Sequence, residues 1–100
     1  MDATSTVSDH PDELRFVVTE DGHQAELTYL LDGSRFTLDH TRVPEELSGR
    51  GVGGTLVRAA IDRAAAEGLV VVPRCPFAGR WLREHPDVAG RVEIDWPAEG

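Results

Sequence analysis

Val43-Pro44-Glu45-Glu46-Leu47-Ser48-Gly49-Arg50-Gly51-Val52-Gly53-Gly54-Thr55 is the stretch on which the fold turns. It lies between a run with strand periodicity and a run with helix periodicity. Pro44 ends the strand, because proline has no N–H to give to a ladder. Four glycines in the six positions 49–54 permit a tight turn that bares backbone N–H groups. The helix that follows starts with unpaired N–H groups at the positive end of its dipole. A turn of this kind is a site for phosphates.

Downstream of the turn, Val52, Leu56, Ala60 and Ala64 fall four apart, flanked by Val57, Ile61 and Ala65. This is the apolar stripe of a helix. Arg58 with Asp62, and Arg63 with Glu67, are spaced to pair on its outer side. Gly68 is the expected stop. Leu69-Val70-Val71-Val72 reads as a short apolar strand. Strand, helix and strand make a crossover, so the two strands are expected to run parallel. Pro73 closes the second of them. Pro76 to Glu84 predicts another helix, with Pro76 in its first turn, Cys75 near its N-cap, and Phe77, Ala78 and Trp81 on its inner face. His85-Pro86 ends it. Val92-Glu93-Ile94 is either a last short strand or a packing segment.

Upstream, Leu14 to Thr19 is rich in β-formers and Asp21-Gly22 is a turn signal. His23 to Leu31 alternates, with Ala25, Leu27, Tyr29 and Leu31 on one face. Asp32-Gly33-Ser34 marks a second hairpin turn. Arg35 to Val43 then places Phe36, Leu38 and His40 on one face and Thr37, Asp39, Thr41 and Val43 on the other. The expected architecture is a small α/β (α+β) domain over residues 13–96: an antiparallel meander, a β-α-β crossover and a second helix. Residues 1–12, a mostly polar segment with no apolar core, are expected to be a disordered tail, and 97–100 a second tail.

With 100 residues, one domain is expected. The net charge of −8 and a pI near 4.8 disfavour nonspecific nucleic-acid binding, which needs a basic face. No apolar run is long enough to span a membrane, and the first residues have no signal-peptide core, so a cytoplasmic protein is expected. All ten basic residues are arginine. A single cysteine, Cys75, excludes an internal disulfide and a cysteine-rich metal site, and no metal is expected. Monomer and homodimer both remain open.

Gly49-Arg50-Gly51-Val52-Gly53-Gly54 satisfies the dinucleotide fingerprint G-x-G-x-x-G. That fold needs an acidic residue at the end of its second strand, but Val72-Pro73-Arg74 offers none, and three antiparallel strands precede the turn. A P-loop needs a lysine, which the chain lacks. Gly51-Val52-Gly53 instead resembles the end of the pyrophosphate loop of the GNAT superfamily of N-acetyltransferases, with Ser48 at the position where that pattern begins with Arg or Gln. His40-Thr41-Arg42-Val43-Pro44, Leu47 to Gly53, Leu56-Val57, Val72 to Phe77 and His85-Pro86-Asp87 occur in the order found in minimal, single-domain GNAT-like proteins of the YjdJ type. The resemblance covers roughly residues 12 to 90.

The resemblance implies an acetyl-CoA-dependent N-acetyltransferase. The pantetheine arm would pair with the strand end at Thr41 to Val43. The pyrophosphate would rest on Gly49, Arg50, Gly51, Val52, Gly53 and Gly54, with a hydroxyl from Thr55. The acceptor is an unidentified amine, of a protein, a peptide or a small molecule such as a polyamine. A lysine-like amine, with a pKa of about 10.4, must lose a proton before it attacks. His40 is a candidate base, or a histidine packed beside Phe36 and Leu38; Asp39 is an alternative. Larger relatives supply an acid from a tyrosine in the last helix, where this chain has Phe77 and Trp81. Cys75, at a helix N-terminus beside Arg74 and near Arg80, would be leaving-group acid, covalent acetyl acceptor or a small structural residue. A non-catalytic acyl-CoA-binding or protein-interaction module is the alternative function.

Overall fold

The computed structural model describes residues 7–97. Six strands form one sheet in sequence order: β1 (Val7–His10), β2 (Arg15–Glu20), β3 (His23–Asp32), β4 (Arg35–Arg42), β5 (Val70–Pro73) and β6 (Glu93–Ile94). The first four pair antiparallel. The pairs β4–β5 and β5–β6 are parallel, as a helical crossover requires. Helix α1 (Val52–Glu67) makes that crossover, followed after β5 by α2 (Pro76–Glu84) and a short α3 (Pro86–Ala89).

The expected helices stand where the apolar periodicity placed them. Val52, Leu56, Val57, Ala60, Ile61 and Ala64 of α1 are buried, and Gly68 closes the helix in the left-handed conformation at φ 69°. They pack on Phe16, Val18, Leu27, Phe36 and Leu38 of the sheet. The rings of Phe16, Tyr29 and Phe36 touch, with centroids 4.9–6.4 Å apart. Ala65 of the expected stripe and Leu31 of β3 are exposed instead. His85-Pro86 does end α2, yet the chain re-enters a helical turn at once, because Pro86 suits a first helical position.

The disordered tail expected over residues 1–12 is corrected at its second half. Val7–His10 pairs with Arg15–Val18 as an edge strand. A ladder is made by backbone groups, so a polar sequence does not forbid it. Asp9 is also tied down: the Tyr29 hydroxyl donates to its Oδ1 at 2.7 Å, and Arg63 Nη1 reaches its Oδ2 at 3.0 Å. Residues 1–6 and 98–100, including most of the expected C-terminal tail, lie outside the described residues.

Arg63 pairs with Glu67 at 3.0 Å as the helical spacing predicts. It is not a plain surface arginine, however: its side chain is 16% exposed and lies 5.3 Å from the ring centres of both Tyr29 and Phe36. The expected Arg58–Asp62 pair is replaced, since Asp62 accepts from Arg91 at 2.7 Å.

Burial, reinforced by the hydrogen bond to Asp9, pushes the Tyr29 phenol up to about 12. The folded state therefore favours neutral tyrosine, so this contribution to stability is complete below pH ~10, the value of an unfolded chain, and is lost as pH rises toward ~12. Urea titrations at about pH 9 and about pH 11.5 should show wild type losing roughly 2 kcal/mol more than Tyr29→Phe across that window. The chain holds no lysine and no second tyrosine to blur the comparison. Equal losses in the two proteins would refute the assignment.

Candidate functional site: a cleft between the splayed strands and the glycine turn

The β4–β5 ladder ends at Leu38↔Pro73. Pro73 cannot donate, and beyond it only the Cys75 N–H reaches back, to the Leu38 carbonyl at 2.9 Å. From there the chain turns into α2 while β4 runs on, so the edge of β4 past Leu38 is uncovered on this side. The opening leads into a cleft of about 600 Å³. Its walls are Thr41 of β4 and Val43 just beyond it, the turn from Leu47 to Thr55 apart from Arg50, Arg58 of α1, and Phe77, Trp81 and His85 of α2 and its end.

The glycine turn adopts the geometry its composition allows. Gly49 and Gly51 sit at φ 80° and 77°, where other residues are strained. Gly51 is the N-cap of α1, and no side chain caps the helix. Thr55 N–H makes the first intrahelical bond, to the Gly51 carbonyl at 3.1 Å. The N–H groups of Val52, Gly53 and Gly54 precede it and have no partner within the helix. Gly53 and Gly54 serve a second purpose. A Cβ on Gly53 would lie 2.6 Å from Phe77, and one on Gly54 would collide with the Trp81 indole nitrogen. These glycines let the aromatic face of α2 close onto the first turn of α1.

Three expected site residues stand differently from their sequence reading. Arg50 alone of residues 49–55 does not line the cleft. Its Nη1 is 2.7 Å from Asp21 and 3.3 Å from Glu20 on the β2–β3 turn, and this pairing holds the Asp21 carboxyl below its ordinary range. Thr55 lines the cleft, but its hydroxyl donates to the Gly51 carbonyl at 3.1 Å, so that proton is not offered to a ligand. His40 is not in line with Phe36 and Leu38. Thr28 pairs with His40 and Tyr29 with Leu38, leaving Asp39 as an extra residue in a β-bulge. The bulge reverses the alternation: Thr41 and Val43 turn to the cleft, and the His40 side chain, 81% exposed, turns to solvent, where its closest carboxylate is Asp39 at 3.9 Å.

Cys75 is buried, at 4% exposure, with Sγ 3.2 Å from Thr41 Oγ. One member of this pair lines the cleft. The other lines a smaller hollow of about 220 Å³ with Arg74, Arg83 and Trp96. The cysteine is therefore the partition between two cavities, and its sulfur faces a hydroxyl.

Arg58, Trp81 and His85 were not singled out as site residues by their sequence context, although Phe77, Trp81 and His85 recur every four residues along one helix face. Trp81 and His85 are stacked, with ring centres 3.8 Å apart and planes at 13°. His85 Nδ1 lies 2.7 Å from the Trp81 carbonyl. A carbonyl only accepts, so Nδ1 is the donor and carries the proton.

Parallel strands that part beside a helix N-terminus, with a glycine turn closing one cleft between them, define a GNAT-like α/β protein. The sequence profile of the GCN5-related N-acetyl-transferase family matches residues 15–91, and the chain belongs to that family. Among relatives, Protein NATD1 of Gallus gallus and of Mus musculus is 34% identical over 64 residues. The match covers 63% of this chain and 58% of each relative, so it spans little more than half of their length. The solution structure of a GCN5-like N-acetyltransferase candidate from Staphylococcus aureus superposes with a TM-score of 0.69 at 26% identity, covering 95% of this chain and 90% of that one.

Proposed function

We propose that the chain is an acetyl-CoA-dependent N-acetyltransferase acting on an amine. The observation that carries this reading is the parting of β4 and β5 beyond Leu38 and Pro73, which opens a strand edge into the same cleft as the bare N–H groups of α1. The residues fit the donor. The β4 edge at Thr41 to Val43 is free to pair with an amide-bearing arm. The turn around Gly49 and Gly51 and the N–H groups of Val52, Gly53 and Gly54 suit a pyrophosphate. Leu47 and Val52, both buried, give the cleft an apolar part of its lining.

Acetyl-CoA, when bound, supplies an acetyl thioester to the acceptor. On the way to the amide the acceptor ammonium loses two protons: one goes to solvent before attack, and one leaves the nitrogen as the C–S bond breaks and is matched by the proton taken up by the departing thiolate. In this reading the Cys75–Thr41 pair holds a proton at the cleft wall, and Thr41 Oγ relays it. His40 stands outside the cleft, so its role as base is carried only by exchange with solvent. Tyr29, 1% exposed and bonded to Asp9 and Arg63, is held away from the cleft.

Calorimetry should show saturable acetyl-CoA binding, and no binding at millimolar ligand would sink the proposal. Free thiol should then appear faster with some amine of a broad panel than without one, and Cys75→Ala should slow that release by roughly 10²-fold, the scale of a lost acid–base group. The shielding of Cys75 and the orientation of His40 favour a second reading, an acyl-CoA-binding module without turnover. Binding with no amine-dependent thiol release would select it. A lasting mass gain of one acetyl group, absent in Cys75→Ala, would instead mark a covalent route, and the lack of lysine keeps side-chain acetylation from confusing that measurement.

Arg50 separates the sequence expectation from the folded geometry. Arg50→Gln should leave the acetyl-CoA dissociation constant within about twofold, since it breaks only an exposed ion pair. A tenfold loss would return Arg50 to the binding site.

A further inference from the structure

We infer that the hollow behind Cys75 receives the acceptor, and that the acceptor is an amine of amino-acid size that carries a carboxylate. The inference rests on the proposed acetyl transfer and names the substrate class of that reaction. The hollow, of about 220 Å³, has room for a small molecule and is lined by Arg74, Cys75, Gly79, Arg83, Trp96 and three prolines. It shares none of these residues with the larger cleft. The two spaces meet at Cys75, whose Sγ lies 3.2 Å from Thr41 Oγ on the cleft side. A change of staggered position at the cysteine moves that sulfur aside and gives an amine in the hollow its approach to the acyl group.

The charge of the hollow is opposite to that of the chain. Among the described residues two arginines line it and no acid does, although the chain carries 18 acidic against 10 basic residues. The segment 74–83 holds Arg74, Arg80 and Arg83 and no acidic residue. No carboxylate among the described residues pairs with Arg74, whereas Arg15, Arg35, Arg50, Arg63 and Arg91 are each bonded to one. Arg83 lies over Trp96, its guanidinium carbon 4.5 Å from the ring centre. A guanidinium offers paired N–H donors that match the two oxygens of a carboxylate. The prolines and the indole supply apolar wall for a carbon skeleton. Gly79 keeps the hollow open: a Cβ there would stand 3.9 Å from the Trp96 ring and 3.7 Å from the Pro73 carbonyl oxygen. A polyamine, which the net charge of −8 attracts at long range, meets like charges at this mouth.

Two measurements test this. In a Trp81→Phe background Trp96 is the sole indole and reports on the hollow. With coenzyme A present, L-amino acids and short ω-amino acids, each titrated beside its amide, should change that fluorescence saturably. The best acid should bind at least about tenfold more tightly than its amide. Acetyl transfer should follow the same order, with kcat/KM for the best acid about tenfold or more above that for its amide or for spermidine. Arg74→Gln, at an exposed position, should erase the preference of acid over amide in both measurements. Gly79→Ala, whose methyl fits the fold and narrows the hollow, should raise the KM of the acid. Amides or spermidine equal to the acids, or no acid that alters Trp96 fluorescence, would overturn the carboxylate subsite and leave the proposed function standing where acetyl-CoA still binds. Failure of acetyl-CoA to bind in calorimetry would overturn the two together.

Discussion

Gly51→Asp is expected to weaken acetyl-CoA binding by about 10²-fold relative to wild type, whereas Gly51→Asn loses only a few-fold. The two replacements have nearly the same shape. Both tolerate the left-handed conformation that Gly51 adopts at φ 77° better than other residues do. A Cβ at Gly51 meets no atom within 4 Å, so the fold admits either side chain. What differs is charge. The aspartate places an anion at the N-cap of α1, where its oxygen accepts from the N–H groups that otherwise await a ligand. It also repels phosphate: at an effective dielectric of about 20, charges about 6 Å apart interact by close to 3 kcal/mol, before salt reduces it. Both variants carry the strain of a positive φ, and the helix dipole should make Gly51→Asp the more stable of the two apoproteins. A variant with a higher melting temperature and lost binding would locate the anion site at the helix N-terminus. Equal binding by the Asp and Asn variants would remove it from there.

Phe36→Ala is expected to destabilise the fold by about 3–5 kcal/mol, against a total of about 5–15 kcal/mol for a domain of this kind. Phe36 is fully buried on β4, within ring contact of Phe16 and Tyr29, and Arg63 lies over its face. Its loss leaves a cavity under a guanidinium, and the half-buried Arg63 loses apolar and cation–π contacts at once. Phe36→Leu, which keeps most of the volume, should cost about 1–1.5 kcal/mol. Urea denaturation of the three proteins measures both steps. A cost for the alanine variant below that for the leucine variant would show that the aromatic cluster is not the centre of the core.

These two positions also mark how far the chain is legible. Gly51 could be read directly, because a glycine-rich turn between two periodicities specifies its own backbone. The same holds for α1, α2 and the β3 and β4 hairpin, each announced by spacing and turn residues within a dozen positions. Phe36 could be placed in the core, but its arginine cover could not. The spacing of Arg63 and Glu67 predicts a surface pair, and the contact with Phe36 depends on how α1 crosses the sheet. The bulge at Asp39 left one trace, a residue poorly suited to a strand interior. That single insertion turned His40 outward and Thr41 inward, since a one-residue shift exchanges the faces of a strand. The aromatic face of α2 and the paired glycines of α1 were both visible as patterns. Their match was not, because two helix faces come into register only when the crossover is built.

The sequence by itself determined the order of elements from β2 to α2, the parallel crossover around the glycine turn and the unpaired N–H groups at the start of α1, because each follows from local backbone chemistry. Only the tertiary structure decided which side chains share the cleft. It drew Arg50 away to Asp21, set Cys75 against Thr41, and brought Arg58, Trp81 and His85 to the opening. Those outcomes depend on contacts between residues 23 to 34 positions apart, and such contacts are chosen by packing and charge pairing among finished elements.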